Sequence, residues 1–310
     1  MPKFFYRREL DEIEDKARPV HINSYRQLVW AKFKSHKLAM FGAVVLVGVI
    51  LFTVFGPLFV DVGYEDMDFS YLFSPPLTEG HPFGTDELGH DVLVRVMYGG
   101  RISLFVGFAS AVITTLIGTV VGLLSGFYGG LVDRLLMRFV DVMLSIPMFP
   151  ILITLTLVFG SGIMNIILVL TVFGWMGVSR LVRGLVLSIR ETEYVMSAKA
   201  MGVRNVRIIL RHVLPNVIPI VIVSATLNMS YAILAESSLS YLGLGIQPPM
   251  PSWGNMLQRA MNYILGTTTG VNPWWLTVFP GFFIFITVLS VNFLGDGLRD
   301  ALDPKFVSES

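Results

Sequence analysis

The chain has 310 residues, of which 54% are hydrophobic and 15% charged, with a mean hydropathy of +0.68. A soluble domain is nearer a quarter charged, so the composition excludes an ordinary soluble enzyme. There is no cysteine, which excludes a disulfide framework and a thiolate metal site, and a formal net charge of +1 gives no case for a nucleic-acid partner.

Residues 1–37 are polar, with nine Lys or Arg and an acidic run from Glu9 to Asp15. They read as a disordered tail, with Phe4, Phe5 and Tyr6 available to touch a membrane surface. The basic region is too long for a secretory signal, and no small-residue cleavage site follows it. Leu38 to Val60 is an uncharged stretch of 23 residues, long enough to cross a hydrocarbon core of about 30 Å as a helix. Residues 61–100 carry eight acidic residues and one basic one, Arg95. Within them Thr85 or Asp86 can cap a short helix that runs to about Tyr98 and ends at Gly99-Gly100. Asp86, Glu87, His90 and Asp91 can be drawn as a metal cluster, but adjacent acids before a helix are more often caps and solvated charge, so no metal is expected.

Leu104 to Tyr128 is the second span. Gly118, Gly122 and Gly126 recur every four residues on one helix face, with Gly107 and Ala111 above them, so this face is expected to pack closely on another helix. Phe139 to Phe159 is the third span, interrupted by Pro147 and Pro150, which free the carbonyls of Met143 and Ile146 and should kink the helix. Asp141 sits about one turn inside it: either a pathway residue or a structural carboxylate paired with Arg134 or Arg138. Ile163 to Val178 is the fourth span, extendable toward Leu187 if Arg180 and Arg183 snorkel to the headgroups.

The longest polar interruption follows. In residues 190–216 (RETEYVMSAKAMGVRNVRIILRHVLPN), Glu191 to Met201 holds good helix formers and neither Gly nor Pro. Gly202 breaks the pattern as a left-handed helix end. A second helical pattern with Val206, Ile209, Leu210 and Val213 is closed by Pro215. The stretch is a helix–turn–helix on one side of the membrane, either a functional element or an amphipathic linker. Val213 to Ala235 is the fifth span, in which Ser224, Asn228 and Ser230 either face a pathway or bond between helices. Glu236 opens the next polar segment and either lines the path or faces water. Gly243 to Pro249 is too rich in Gly and Pro for a regular helix, Gln247 among them, and Trp253 suits an interfacial anchor. Trp274 to Leu294 is the sixth span. No internal repeat is evident.

Six spans put both ends on one side. Twenty of the 23 Lys and Arg fall in residues 1–37, 129–138, 179–212 and after 295, against Arg95, Arg101 and Arg259 elsewhere. The positive-inside rule therefore places both termini and residues 190–216 in the cytoplasm, with 61–100 and 236–273 outside.

Four stretches carry a family resemblance. Residues 190–216 resemble the cytoplasmic loop of ABC-importer permeases, whose pattern is E-A-A, three residues, G, nine residues, I-x-L-P. Aligned on Gly202, Met196, Ser197 and Ala198 take the E-A-A places and Leu214-Pro215 match the end. Two of the three name-giving residues differ, and Glu193 lies three positions early. HPFGTDELGHDVLVRVMYGGRISL (81–104) and ESSLSYLGLGIQPPMPSWGNML (236–257) look like signatures of the dipeptide/oligopeptide/nickel importer permeases, in the second, C-type subunit, as does the closing DGLRDALDP.

The resemblance implies an all-α membrane protein with six transmembrane helices in the type I ABC importer permease fold. Residues 1–37 would be a cytoplasmic tail, 38–60 a peripheral first helix, 61–100 an outward segment, 101–294 the permease core and 295–310 a cytoplasmic tail. It implies no catalytic residues. Glu193, Tyr194, Met196, Ser197, Ala198, Lys199, Ala200, Met201 and Gly202 would couple to an ATP-binding subunit. Asp86, Glu87, Asp91, Gln247 and Trp253 would face a docking binding protein. The implied partners are a second homologous permease, two ATP-binding subunits that hold ATP and Mg, an extracytoplasmic binding protein and the lipid of a bacterial or archaeal cytoplasmic membrane. The implied cargo is a di- or oligopeptide, with nickel or oligosaccharides as alternatives within the class. Outside the class stand an ATPase-independent channel or scaffold and an ion-driven transporter. The chain has no P-loop and no metal-ligand spacing among its five His residues.

Overall fold

The computed structural model describes residues 25–264 and 272–302. Phe4, Phe5 and Tyr6 lie outside that range. Part of the stretch expected as a tail is helical: α1 spans Tyr25–Ser35. His36 then caps α2 (Lys37–Phe55), its Nδ1 accepting the Ala39 N–H at 3.1 Å, and a 3₁₀ turn carries the uncharged run to Phe59. The remaining helices are α3 (Val92–Tyr128), α4 (Gly130–Leu144), α5 (Met148–Phe159), α6 (Ile163–Arg190), α7 (Glu193–Ala200), α8 (Asn205–Tyr241), α9 (Trp253–Ile264) and α10 (Trp275–Leu302). Among the described residues there are five helices long and apolar enough to cross a membrane, and a bent pair that makes a sixth span if taken as one.

The bent pair is α4 and α5. They meet at 88° across Ser145-Ile146-Pro147. Pro147 cannot donate a backbone hydrogen bond, and its φ of −58° with ψ of 119° turns the chain out of the helix. The carbonyl of Met143 is taken by the Ile146 N–H instead, at 3.2 Å.

Helix α3 has 37 residues, about 55 Å at 1.5 Å per residue, far more than a hydrocarbon core requires. Its N-cap is Asp91, whose Oδ1 accepts the Val94 N–H at 3.0 Å. The short helix expected from Thr85 or Asp86 to Tyr98 is therefore corrected: the helix begins later and passes straight through Gly99-Gly100. Both glycines are contact residues. A Cβ on Gly99 would lie 3.2 Å from the Ser252 backbone, and one on Gly100 would lie 2.7 Å from the Trp253 ring.

The stripe of small residues on α3 does what its period demands. A Cβ on Gly118 would stand 2.6 Å from the Trp175 carbonyl oxygen and the Val178 Cβ. One on Gly122 would stand 2.7 Å from the Ser179 oxygen and the Val182 Cβ. Gly126 meets Val186 in the same way, and Gly107, higher up, faces Ile233 of α8. The α6 backbone thus lies directly on α3. Leu123 and Phe127 of α3 and Val178, Val182 and Val186 of α6 make an inner core, completed by Ile208, Ile209, Val213 and Val217 of α8.

Helix α6 runs past Val178 to Arg190. Arg180 and Arg183 are ion-paired there: Arg180 bonds Asp141, and Arg183 Nη2 donates to Asp133 Oδ2 at 2.6 Å. Pro215 does not close the helix before the fifth span. The chain passes it through a π-helical turn, Ile209–Val213, in which the Leu214 N–H reaches the Ile209 carbonyl. That shift of register accommodates a residue with no N–H, and Asn216 Nδ2 caps the His212 carbonyl at 2.6 Å. Asn205 to Tyr241 is consequently one continuous rod of 37 residues. Helix α2 lies on α10, with Phe52 stacked on Phe283 at 5.0 Å, and α10 continues without a break to Leu302.

If the α3–α6 contact depends on the missing Cβ atoms, Gly122→Val will lower the thermal midpoint of the detergent-purified chain, by an amount equivalent to about 1–3 kcal/mol of overpacking. Gly48→Ala, where a Cβ meets nothing within 4 Å, will leave the midpoint unchanged.

Candidate coupling surface and outer cap

Helix α7 is only eight residues long, so its position must come from packing and from its ends. Glu193 in the first turn and Lys199 in the last suit the helix dipole. The end is a Schellman motif. The Gly202 N–H reaches the Lys199 carbonyl at 3.0 Å and the Val203 N–H reaches the Ala198 carbonyl at 3.1 Å, with Gly202 at φ +76°. This is the left-handed helix end that the sequence indicates.

Two side chains seat the helix. Val195 and Ala198 are buried in the inner core beside Ile189 and Ile208, and Val203 packs against the same cluster. Lys199 Nζ sits 4.7 Å above the Phe127 ring of α3. Tyr194 faces His212 of α8 with ring centroids 6.4 Å apart. Helices α3, α6 and α8 therefore all hold α7. Glu193, Tyr194, Met196, Ser197, Lys199, Ala200, Met201 and Gly202 are exposed. Ala198 faces inward, so it belongs to the seat and not to the outer face. Met196 and Met201 stand 48% and 75% exposed, an apolar offering on the face turned away from that seat. The two departures from E-A-A, Met196 and Ser197, both lie on this outer face.

The residues expected along a pathway do not line up on one surface. Asp141 bonds Arg180, about forty residues on, and not Arg134 or Arg138; both partners are half exposed. Ser224 is buried and returns its hydroxyl to the Ile220 carbonyl at 2.8 Å. Asn228 Nδ2 reaches Thr115 Oγ1 of α3 at 3.4 Å, a contact between helices. Ser230 is buried with no protein partner for its hydroxyl.

Glu236 neither faces water nor begins a loop. It lies inside α8, fully buried, and its carboxylate is a hub. Ser103 Oγ of α3 donates to Oε2 at 3.0 Å and Ser240 Oγ donates to Oε1 at 2.8 Å, with the Ser237 hydroxyl at 3.4 Å. The same serines accept from the outer segment, Ser240 from the Ile246 N–H at 3.2 Å and Ser103 from the Trp253 N–H at 3.3 Å. A buried carboxylate needs such donors, and here they tie α3, α8 and the turn-rich 242–252 segment together.

Trp253 is likewise corrected. It is fully buried, not an interfacial anchor, and its indole N–H bonds the Val96 carbonyl at 3.0 Å. Asp86 and Asp91 are also buried. Asp86 accepts from the Leu88 and His90 N–H groups at 3.0 and 2.9 Å and pairs with His90 Nδ1 at 2.8 Å; Asp91 pairs with His81 Nδ1 at 2.8 Å. Burial alone would raise the Asp86 carboxyl, but the His90 hydrogen bond and charge, aided by Arg95, hold it below the usual carboxylate range. Glu87 is pushed up, first by burial and then by the Asp86 charge, with Arg259 Nη1 3.5 Å away. Of the residues expected to face a docking protein, Gln247 is exposed, its side chain donating to the Gly243 carbonyl at 2.8 Å. Sequence reasoning missed Ser103, His81 and Arg95. Only the His four residues beyond Asp86 hinted at a local pair.

Replacing Glu236 with alanine should strand the Ser103 and Ser240 hydroxyls and lower stability by about 1–3 kcal/mol. Hydrogen exchange should then speed up in residues 242–253 and stay slow in 193–203; uniform exchange across both would contradict the hub.

Known proteins share this sequence over most of its length. The family described as binding-protein-dependent transport system inner membrane component matches residues 118–308, and the N-terminal TM domain of oligopeptide transport permease C matches residues 24–76. The dipeptide transport system permease protein DppC of Bacillus subtilis (strain 168) is 44% identical over 282 residues, 91% of this chain and 86% of its own length. The oligopeptide transport system permease protein OppC of Haemophilus influenzae is 44% identical over 275 residues, 88% of this chain and 86% of its own. OppC of Escherichia coli (strain K12) is 42% identical over 275 residues, covering 88% and 89%. The chain belongs to the family of binding-protein-dependent transport system inner membrane components.

Proposed function

We propose that this permease is one of two homologous membrane subunits of an ATP-driven peptide importer, and that the exposed face of α7 receives the motion of an ATP-binding subunit. The observation that carries the reading is the seat of α7. A short helix with an apolar outer face rests on a core shared by three spanning helices, directly before the uninterrupted rod α8. Displacement of α7 is displacement of the inner end of α8, and α8 runs on to Glu236. Nucleotide-driven closure of two ATP-binding subunits, which hold the ATP and Mg, would re-pack α6, α8 and α10 against the second permease and open the path outward. This chain contributes no cofactor site and no catalytic group. The peptide cargo is supported by the relatives, which are named for dipeptide and oligopeptide transport.

Orientation rests on charge. Twenty of the 23 Lys and Arg fall in the sequence stretches that flank the spans on the side of α7, against Arg95, Arg101 and Arg259 in the others. That is the cytoplasmic side of the cell membrane by the positive-inside rule, which leaves 61–91 and 242–252 outside to meet a binding protein.

Gly202→Trp tests the reading. A Cβ at Gly202 would meet nothing within 4 Å; the strain comes from a φ that non-glycine residues rarely adopt, and the indole would stand on the docking face. The reconstituted complex is expected to lose most peptide-stimulated ATP hydrolysis and uptake while the subunits still fold. Full retention of both would overturn the assignment.

A further inference from the structure

One cavity is not used by anything above. It lies between the cytoplasmic halves of α6 and α8 and the last turn of α10, with a volume of about 750 Å³. It exists because its walls are kept low. Gly184 of α6 has no Cβ, and a Cβ there would meet nothing within 4 Å. Pro215 and Pro219 supply short side chains on α8. The opposite face of α6, with Val182 and Val186, is the one buried against α3. The size falls within the range of small-ligand sites, and the walls are largely apolar, including Leu185 and Ile220.

The charge in the cavity is one-sided. Arg180 and Arg299 both line it, and among the described residues no acid does. Arg180 shares Asp141 with solvent, both half exposed. Arg299 is exposed and has no ion pair among the described residues, since its neighbour Asp300 is turned to His36 at 3.5 Å. An apolar slot of this size with two guanidinium groups suits a short chain of amides that ends in a carboxylate, because guanidinium matches a carboxylate fork.

We propose that this cavity holds the peptide on the cytoplasmic side of its passage, with Arg299 and Arg180 taking its terminal carboxylate. Asp141 keeps Arg180 in place until the carboxylate arrives. The inference rests on the peptide-import reading and adds to it the wall and the contacts in this chain. No bond is made or broken; the step is an exchange of ion-pair partners at Arg180.

The test uses the complete importer in proteoliposomes and two probes, trialanine with a free C-terminal carboxylate and trialanine amide. The binding protein is the same in every sample, so its own preference cancels in a comparison of variants. Arg299→Gln and Arg180→Gln are each expected to lower the acid-to-amide ratio of import rates about tenfold, the order expected for one charge-assisted hydrogen bond. Arg299→Lys should restore most of the ratio, which a packing defect would not. An unchanged ratio overturns the inference. So does a loss of import that tracks the anionic phospholipid content of the vesicles equally for both probes, because that would make the occupant a lipid headgroup. A wild-type importer that carries neither probe overturns the peptide reading as well, and so separates the two failures.

Discussion

The structure depends on one contact, the α6 backbone lying on the glycine face of α3. In lipid, apolar side chains gain little by leaving hydrocarbon, so two helices associate through close van der Waals contact and polar bonds. Gly118, Gly122 and Gly126 allow that approach because the Cβ atoms they lack would stand within about 3 Å of α6 carbonyl oxygens. The approach brings Leu123 and Phe127 up to Val182 and Val186, and this cluster is the floor on which Val195 and Ala198 stand. Helix α7 is thus located by a packing choice made far from it in the sequence.

The other end of the molecule is organised by polar groups. Glu236 draws hydroxyls from α3 and from its own helix, and those hydroxyls hold backbone amides of the outer turn. Asp86 and Asp91 hold their own loop through His90 and His81. A buried polar group surrounded by hydrogen-bond partners resists local rearrangement, because loss of any one partner leaves it unsatisfied away from water. The cap is therefore tied to α3 and α8 by polar bonds. Helix α8 joins it to the inner core as one helix, touching α7 at one end and the cap at the other.

What the sequence shows and what it hides follow a physical division. Features set within a few residues are legible: the four-residue glycine period, the break at Pro147, the left-handed end at Gly202. Features set by partners far along the chain are not. Gly99-Gly100 looks like a helix end until Trp253 and Thr53 are seen to fill the space where side chains would be. Pro215 looks like a stop because nothing local announces a π turn. Trp253 and Glu236 look like surface residues because their partners, Val96 and Ser103, are more than 130 positions away. Asp141 has arginines on its own helix, yet it bonds one from α6, packed beside it. The helix and its left-handed end at α7 were readable, while the inward turn of Val195 and Ala198 was not, since an eight-residue helix takes its seat from partners elsewhere in the chain.

The central claim is that the outer face of α7 is the docking face for an ATP-binding subunit. A photoreactive amino acid placed at Met196, which is exposed, and separately at Val195, which is buried, tests it most directly in the assembled complex. Irradiation should join the Met196 position to a P-loop subunit identifiable by mass spectrometry, and leave the Val195 position joined only to residues of this chain. A Met196 probe that captures lipid or an extracytoplasmic protein, and never a nucleotide-binding subunit, would contradict the account.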